Sequence, residues 1–71
     1  MSSKTLNTIA KNLRKYRAAQ NFTQKDLSEK AGISKTTIIM LEAGRSDTSV
    51  GVLLKLSEAL GTTVKKLFSE N

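Results

Sequence analysis

The chain has 71 residues, of which 38% are apolar and 25% charged, enough for one small globular domain and no more. It contains no cysteine, histidine, tryptophan or proline, which excludes disulfide staples, thiolate and imidazole chemistry and every cysteine–histidine zinc site. Lys and Arg number 12 against 6 acids, and the net charge of +6 favours a polyanionic partner and, with no foothold for catalysis, disfavours an enzyme.

The charge is unevenly spread. Residues 1–20 hold Lys4, Lys11, Arg14, Lys15 and Arg17 and no acid, whereas the charges of residues 21–48 cancel. Such a block is either a solvated face or a binding face. At about 100° per residue, Leu6, Ile9, Ala10, Leu13, Tyr16 and Arg17 share one stripe opposite Lys4, Lys11 and Lys15, which predicts a first helix over roughly residues 5–19. Phe22-Thr23-Gln24-Lys25-Asp26-Leu27 then has the grammar of a helix start. Thr23 is the N-cap, Asp26 stands at the third helical position of a capping box, and Phe22 and Leu27 form a hydrophobic staple. This second helix runs to Ala31, where Gly32 supplies a left-handed stop.

After one short turn Ser34 caps a third helix, with Ile33 and Ile38 again at staple positions. It ends at Ala43, with Gly44 as its stop. Arg45-Ser46-Asp47-Thr48 reads as a polar loop. Ser49 or Thr48 caps a fourth helix, whose Val50, Leu53, Leu56, Ser57 and Leu60 are expected to face inward before Gly61 ends it. A short fifth helix is carried by Val64, Leu67 and Phe68. No segment alternates at strand spacing and no linker or repeat interrupts the chain, so residues 1–71 are expected to form a single all-α domain, a compact five-helix bundle. The longest apolar run, Ile38-Ile39-Met40-Leu41, is far too short for a membrane span or a signal-peptide core, which agrees with a cytoplasmic protein that has no membrane partner.

The second helix, the Ala31-Gly32-Ile33-Ser34 turn and the third helix have the spacing of a helix-turn-helix, whose steep crossing leaves the second of its helices protruding. The turn alone is equally compatible with an ordinary corner between two helices. More of the chain resembles the phage repressor and Cro type of helix-turn-helix domain, the XRE-like family. The resemblance is carried by Leu13 and Arg17, by Phe22-Thr23-Gln24, Leu27 and Ala31-Gly32-Ile33-Ser34, by Ile38, Leu41-Glu42 and Gly44, and by Leu53, Leu56, Ala59-Leu60-Gly61 and Leu67-Phe68. It spans residues 9–68 and implies a five-helix fold of the phage-repressor type. It further implies repressor-like regulation through a double-stranded DNA operator bound by a homodimer. No cofactor, metal or small-molecule site is expected.

The residues give this resemblance physical content. Gln24 opens the second helix, where its amide and the free backbone N–H groups suit a phosphate; the resemblance implies a DNA backbone contact there, and the plain alternative is a solvated polar residue. Arg17 is a charge on an apolar stripe and needs a partner. Glu42 lies about 70° from the mean direction of Ile38 and Leu41, half inward, and the resemblance implies a structural ion pair between the two. Thr36, Ile39, Met40 and Ala43 lie opposite the Ile38 and Leu41 side, while Lys35 reaches forward from the helix tip.

Base contacts are therefore expected from Lys35, Thr36, Ile39 and Met40, with the ammonium donating to guanine and Met40 packing on a thymine methyl. Ser34, Thr37, Arg45 and Ser46 join Gln24 as expected DNA backbone contacts. Ile39 and Met40 could instead meet another protein, which would make the chain an interaction module, an antitoxin or adaptor, on the same fold. On the fifth helix Val64, Leu67 and Phe68 span about 100°, wide enough for the core on one edge and a second copy on the other. The resemblance points to such C-terminal pairing; otherwise Phe68 closes the monomer's own core. Two positions depart from the family pattern. Lys65 and Lys66 oppose the dipole of the fifth helix, so they meet phosphate or a partner or that helix frays; Thr48 stands where Pro is common, which loosens the preceding loop.

Overall fold

Five hydroxyl side chains start the five helices. Each accepts a hydrogen bond from a backbone amide three residues on, Ser2 from Thr5, Thr23 from Asp26, Ser34 from Thr37, Ser49 from Val52 and Thr63 from Lys66, and so satisfies one of the donors that a helix start leaves unpaired. The computed structural model, which describes residues 1–70, accordingly contains α1 Ser3–Ala19, α2 Gln24–Ala31, α3 Lys35–Glu42, α4 Val50–Leu60 and α5 Val64–Leu67, with no strand among the described residues. Thr23 and Asp26 form the reciprocal capping box. Helix α1 begins earlier than its apolar stripe predicts because Ser2 caps it ahead of the first core residue. Helix α3 ends at Glu42, with Ala43 as its cap.

The α2–α3 turn depends on Gly32, which stands at φ +67° with open space around it. Gly44, after α3, is more constrained: its φ is +69°, and a β-carbon there would lie 2.6 Å from the Asn7 carboxamide oxygen. These two stops fix where α3 sits between its neighbours.

The apolar stripes meet in one core of Ile9, Leu13, Leu27, Ile38, Leu41, Leu53, Leu56, Leu60 and Leu67, each at most 2% exposed. Phe22 and Ile33, the outer halves of the two staples, pack against it half-buried. Helix α1 packs on α3 and α5, α2 on α3 and α4, and α4 on α5. Helix α3 thus rests on α1 and α2 by its Ile38 and Leu41 side and leaves the opposite side exposed.

Two placements differ from the sequence reading. Val50 is not inward but 59% exposed; it is the first residue of α4 and lies on the side that continues to exposed Leu54, while half-buried Val52 packs on the core from the other side. Leu67 is 0% exposed and belongs wholly to the monomer's core, so it leaves the set of residues expected to meet a second copy. Half-buried Val64 also packs on that core, and of the three only Phe68, 37% exposed, faces outward. The reason is the shortness of α5, which lies against α1 and α4 and gives the Leu67 edge of its stripe to them.

A buried amide holds α5 in place. Asn12, 3% exposed, donates through Nδ2 to the carbonyl oxygens of Leu67 at 2.8 Å and Ser69 at 2.7 Å, with a longer contact of 3.3 Å to Lys66. It thereby satisfies carbonyls that the end of α5 leaves without helical partners. Gln20 does the same at the end of α4, donating to the Leu60 carbonyl at 3.2 Å. Asn12→Ala is expected to lower stability by about 2–3 kcal/mol, because buried carbonyls lose their donor, and to release α5 first. Denaturant unfolding and amide exchange at residues 64–68 check both.

The capping box has a pH signature. Hydrogen bonds from the Thr23 amide and hydroxyl hold the Asp26 carboxyl below the usual aspartate range, with Lys25 and Lys30 adding smaller attractions. A group whose pKa is lowered by folding contributes fully above its unfolded value of about 3.9, and that contribution is lost as the pH falls through the lower folded value. In Asp26→Asn the carboxyl is absent, so the melting-temperature gap between the wild type and this variant should be constant from neutral pH to about 5 and close at lower pH.

Candidate nucleic-acid interface

The interface is organised around one buried carboxylate. Glu42, at the end of α3, is 3% exposed. Arg17 of α1 grips it with two parallel hydrogen bonds, Nε to Oε2 at 2.7 Å and Nη2 to Oε1 at 3.0 Å. Gln24, the first residue of α2, adds a third from Nε2 to Oε1 at 3.1 Å. The remaining reach of the guanidinium goes to the Phe22 carbonyl at 2.8 Å, in the turn between α1 and α2. Arg14 closes the set by donating to the Glu42 backbone carbonyl. The Glu42 hydrogen bonds raise the Arg17 pKa further above its already high value, with partial burial opposing and charge attraction helping, so the guanidinium stays charged. The paired Arg17 and Glu42 expected from the sequence are joined; Gln24 and Arg14 are additions that the sequence reading missed. Arg14 was legible in retrospect, since it stands three residues before Arg17 and so nearly shares its side of α1.

Gln24 therefore differs from a free surface amide. One of its N–H bonds is committed to Glu42, and the second hydrogen and the carbonyl oxygen remain for an outside group. A half-buried side chain held in this way presents its amide in one orientation at the start of α2.

On α3 the expected base-reading set is exposed: Lys35, Thr36, Ile39 at 41% and Met40 at 38%. Ser34 and Thr37 turn toward each other, their hydroxyls 2.7 Å apart, with Ser34 Oγ also accepting from the Thr37 amide at 3.1 Å. Their oxygens shape the helix start, and Thr37 is half-buried. Arg45 is exposed and leaves the end of α3 through its amide, which donates to the Met40 carbonyl at 3.0 Å, whereas Ser46 is half-buried. Neither Lys35 nor Arg45 takes part in an ion pair among the described residues. Gln24 at the start of α2 is thus joined through the Glu42 carboxylate to the end of α3, whose outer side is apolar at Ile39 and Met40 between exposed Lys35 and Arg45.

This arrangement of helices and turn decides the family. The helix-turn-helix family model HTH_3 matches residues 13–67. The chain belongs to the HTH_3 helix-turn-helix family. An uncharacterized HTH-type transcriptional regulator of Methanocaldococcus jannaschii is 39% identical over 56 residues, 79% of this chain and 85% of that one. The control protein C.SmaI of Serratia marcescens is 34% identical over 61 residues, 86% of this chain and 73% of the other. The restriction-modification controller protein C.AhdI of Aeromonas hydrophila superposes with a TM-score of 0.85 at 28% identity, covering 89% of this chain and 96% of that structure. These relatives are regulators rather than enzymes, and membership of the family supports DNA-binding regulation of transcription as the class of function.

The cluster makes a stability prediction. Arg17→Met would leave the Glu42 carboxylate buried with only the Gln24 amide, which should cost about 3 kcal/mol. That is a large share of the roughly 4–10 kcal/mol expected for a domain of this size. Adding Glu42→Leu removes the stranded charge, and the double variant should recover most of the loss; urea unfolding of the three proteins measures it.

Proposed function

We propose that this protein is a sequence-specific regulator of transcription that binds a two-fold symmetric double-stranded DNA operator as a homodimer, with α3 in the major groove. The observation that carries the reading is the outer side of α3, where two large apolar side chains, Ile39 and Met40, are exposed beside Thr36 and Lys35 on a helix fixed at its far end by the Glu42 cluster. A solvated helix face would be polar at those positions, and a groove lined with thymine methyls and acceptor atoms suits them.

The roles divide by chemistry. Lys35 donates to guanine O6 and N7, Thr36 donates or accepts, and Ile39 and Met40 contact thymine methyls. Gln24, Arg45, Ser46 and the helix start at Ser34 and Thr37 bear on phosphates, which position the protein without reading sequence. In a two-fold complex the half-sites are centred about 10 bp apart, placing the two α3 helices about 34 Å apart.

Selection of bound sequences from random duplex DNA tests the whole reading: a recovered palindrome is expected, and equal affinity for scrambled duplexes would reject it. With about three to four phosphate contacts per subunit, the logarithm of affinity should fall with the logarithm of salt at a slope near −6. Lys35→Ala should relax preference at one base position at a cost of about 1–3 kcal/mol, whereas Gln24→Ala should weaken all sites alike. A scan of base substitutions with both variants separates the two roles.

A further inference from the structure

The surplus charge of the chain lies outside its helix-turn-helix. Residues 21–48 carry four cations and four acids, so five of the six surplus charges belong to residues 1–20 and the sixth to residues 49–71. Arg14 and Arg17 turn onto Glu42, and Lys4 meets Glu70 at 3.5 Å. Lys11, Lys15, Lys65 and Lys66 remain exposed, and none of them enters an ion pair among the described residues.

The packing of α5 on α1 gathers these four lysines. Lys4 of α1 meets Glu70, Thr8 lines a shallow hollow with Phe68, and Asn12 donates to the carbonyls of Lys66 and Leu67. Helix α5 and the residues after it therefore run antiparallel to α1, and one further turn of this register sets Lys15 beside the start of α5. Lys11 and Lys15 stand one turn apart, about 6 Å along the axis of α1. The two lysines of α5 left a choice between fraying and an outside partner. The Thr63 cap and the Asn12 amide keep α5 formed, which leaves the partner.

Helix α1 separates this face from the operator side. It meets α3 through the flank of Arg14 and Arg17 and α5 through the flank of Thr8 and Asn12, about 170° away around its axis. The outer side of α3 faces away from α1, so a duplex seated there leaves the α1–α5 face uncovered.

We propose that the α1–α5 face binds the phosphate backbone of a second duplex without reading its sequence, so that a subunit seated on its operator holds another segment of DNA. The proposal takes the position of the first duplex from the operator reading above. Phosphate suits the face better than protein or lipid does. Lysine is depleted at the centres of protein interfaces, whereas spaced ammonium groups neutralise phosphates on any sequence. The apolar sides of α1 and α5 are turned into the protein's own core, which leaves neither helix an apolar side to insert into a membrane, and Phe68 is a single ring at the border.

The test uses the full chain saturated with unlabelled operator, to which a labelled duplex of unrelated sequence is added and followed by anisotropy at several salt concentrations. The wild type should bind this second duplex with a log–log salt slope of about −3.6, four phosphates at about 0.9 each. The variant K11Q/K15Q/K65Q/K66Q should bind it at least 10-fold more weakly, keep its melting temperature and leave the salt slope for operator unchanged, since glutamine matches lysine in helix propensity. Arginine at the same four positions should restore the second duplex. Second-duplex binding that survives in the glutamine variant would overturn the proposal. So would a shallower operator slope in that variant, which would assign the lysines to the operator itself. A wild type that sediments with vesicles of phosphatidylcholine and phosphatidylserine but takes up no second duplex at the same salt would overturn it in favour of a membrane. If selection yields no operator, the operator reading falls alone; unrelated duplex is then titrated by itself, and the glutamine variant must still lose it while Lys35→Ala keeps it.

Discussion

The Glu42 carboxylate is the constraint on which the rest of the structure depends. It is a charge removed from water at the end of α3, and an ion in that position is tolerable only when its lone pairs are filled. Two bonds from Arg17 and one from Gln24 fill them, and these donors come from α1 and from the first residue of α2. Three helices are therefore held in one relative orientation by a group that accepts little displacement. The hydrophobic core beneath it is non-directional and would permit small rotations of α3; the bidentate fork does not.

This coupling of interior to surface explains a feature of α3 that is otherwise costly. The helix has eight residues, too few to be stable alone, and buries only Ile38, Leu41 and Glu42 while exposing Ile39 and Met40. Its stability is borrowed from both ends. Ser34 and Gly32 define its start, and the Arg14 bond to the Glu42 carbonyl and the left-handed Gly44 define its end. A short helix pinned at its termini can present an apolar outer side without rolling to bury it.

Most of the architecture was legible because it is written in local signals. Thr23 with Asp26, Ser34, Gly32, Gly44 and Gly61 mark boundaries through the chemistry of one turn, and the structure uses each of them as read. A charge on an apolar stripe showed that Arg17 needs a partner, and the family resemblance pointed to Glu42 as that partner. What the sequence hid is non-local. Asn12 looks like a polar residue between two faces of α1 until α5 arrives to receive its amide protons, 54 to 57 positions away. Helical periodicity assigned Val50 inward and put Leu67 in a stripe shared between the core and a second copy, because an angle on a helical wheel does not record where the neighbouring helices end.

The distribution of charge carries the last step. The sequence places five cations and no acid in residues 1–20, which suggests a basic first helix turned toward a polyanion. The structure redirects most of that charge. Arg17 and Arg14 turn onto Glu42 and the end of α3, Lys4 pairs with Glu70 at 3.5 Å, and Lys15 lies 5.7 Å from the centre of the Tyr16 ring. The arginines of α1 thus act as internal struts that orient α2 and α3. On the helix-turn-helix Lys25, Lys35 and Arg45 remain exposed, the last two at opposite ends of the roughly 12 Å of α3. Under the proposed operator reading, these cations position the subunit on phosphates, while the side chains of α3 between Lys35 and Arg45 discriminate among duplexes.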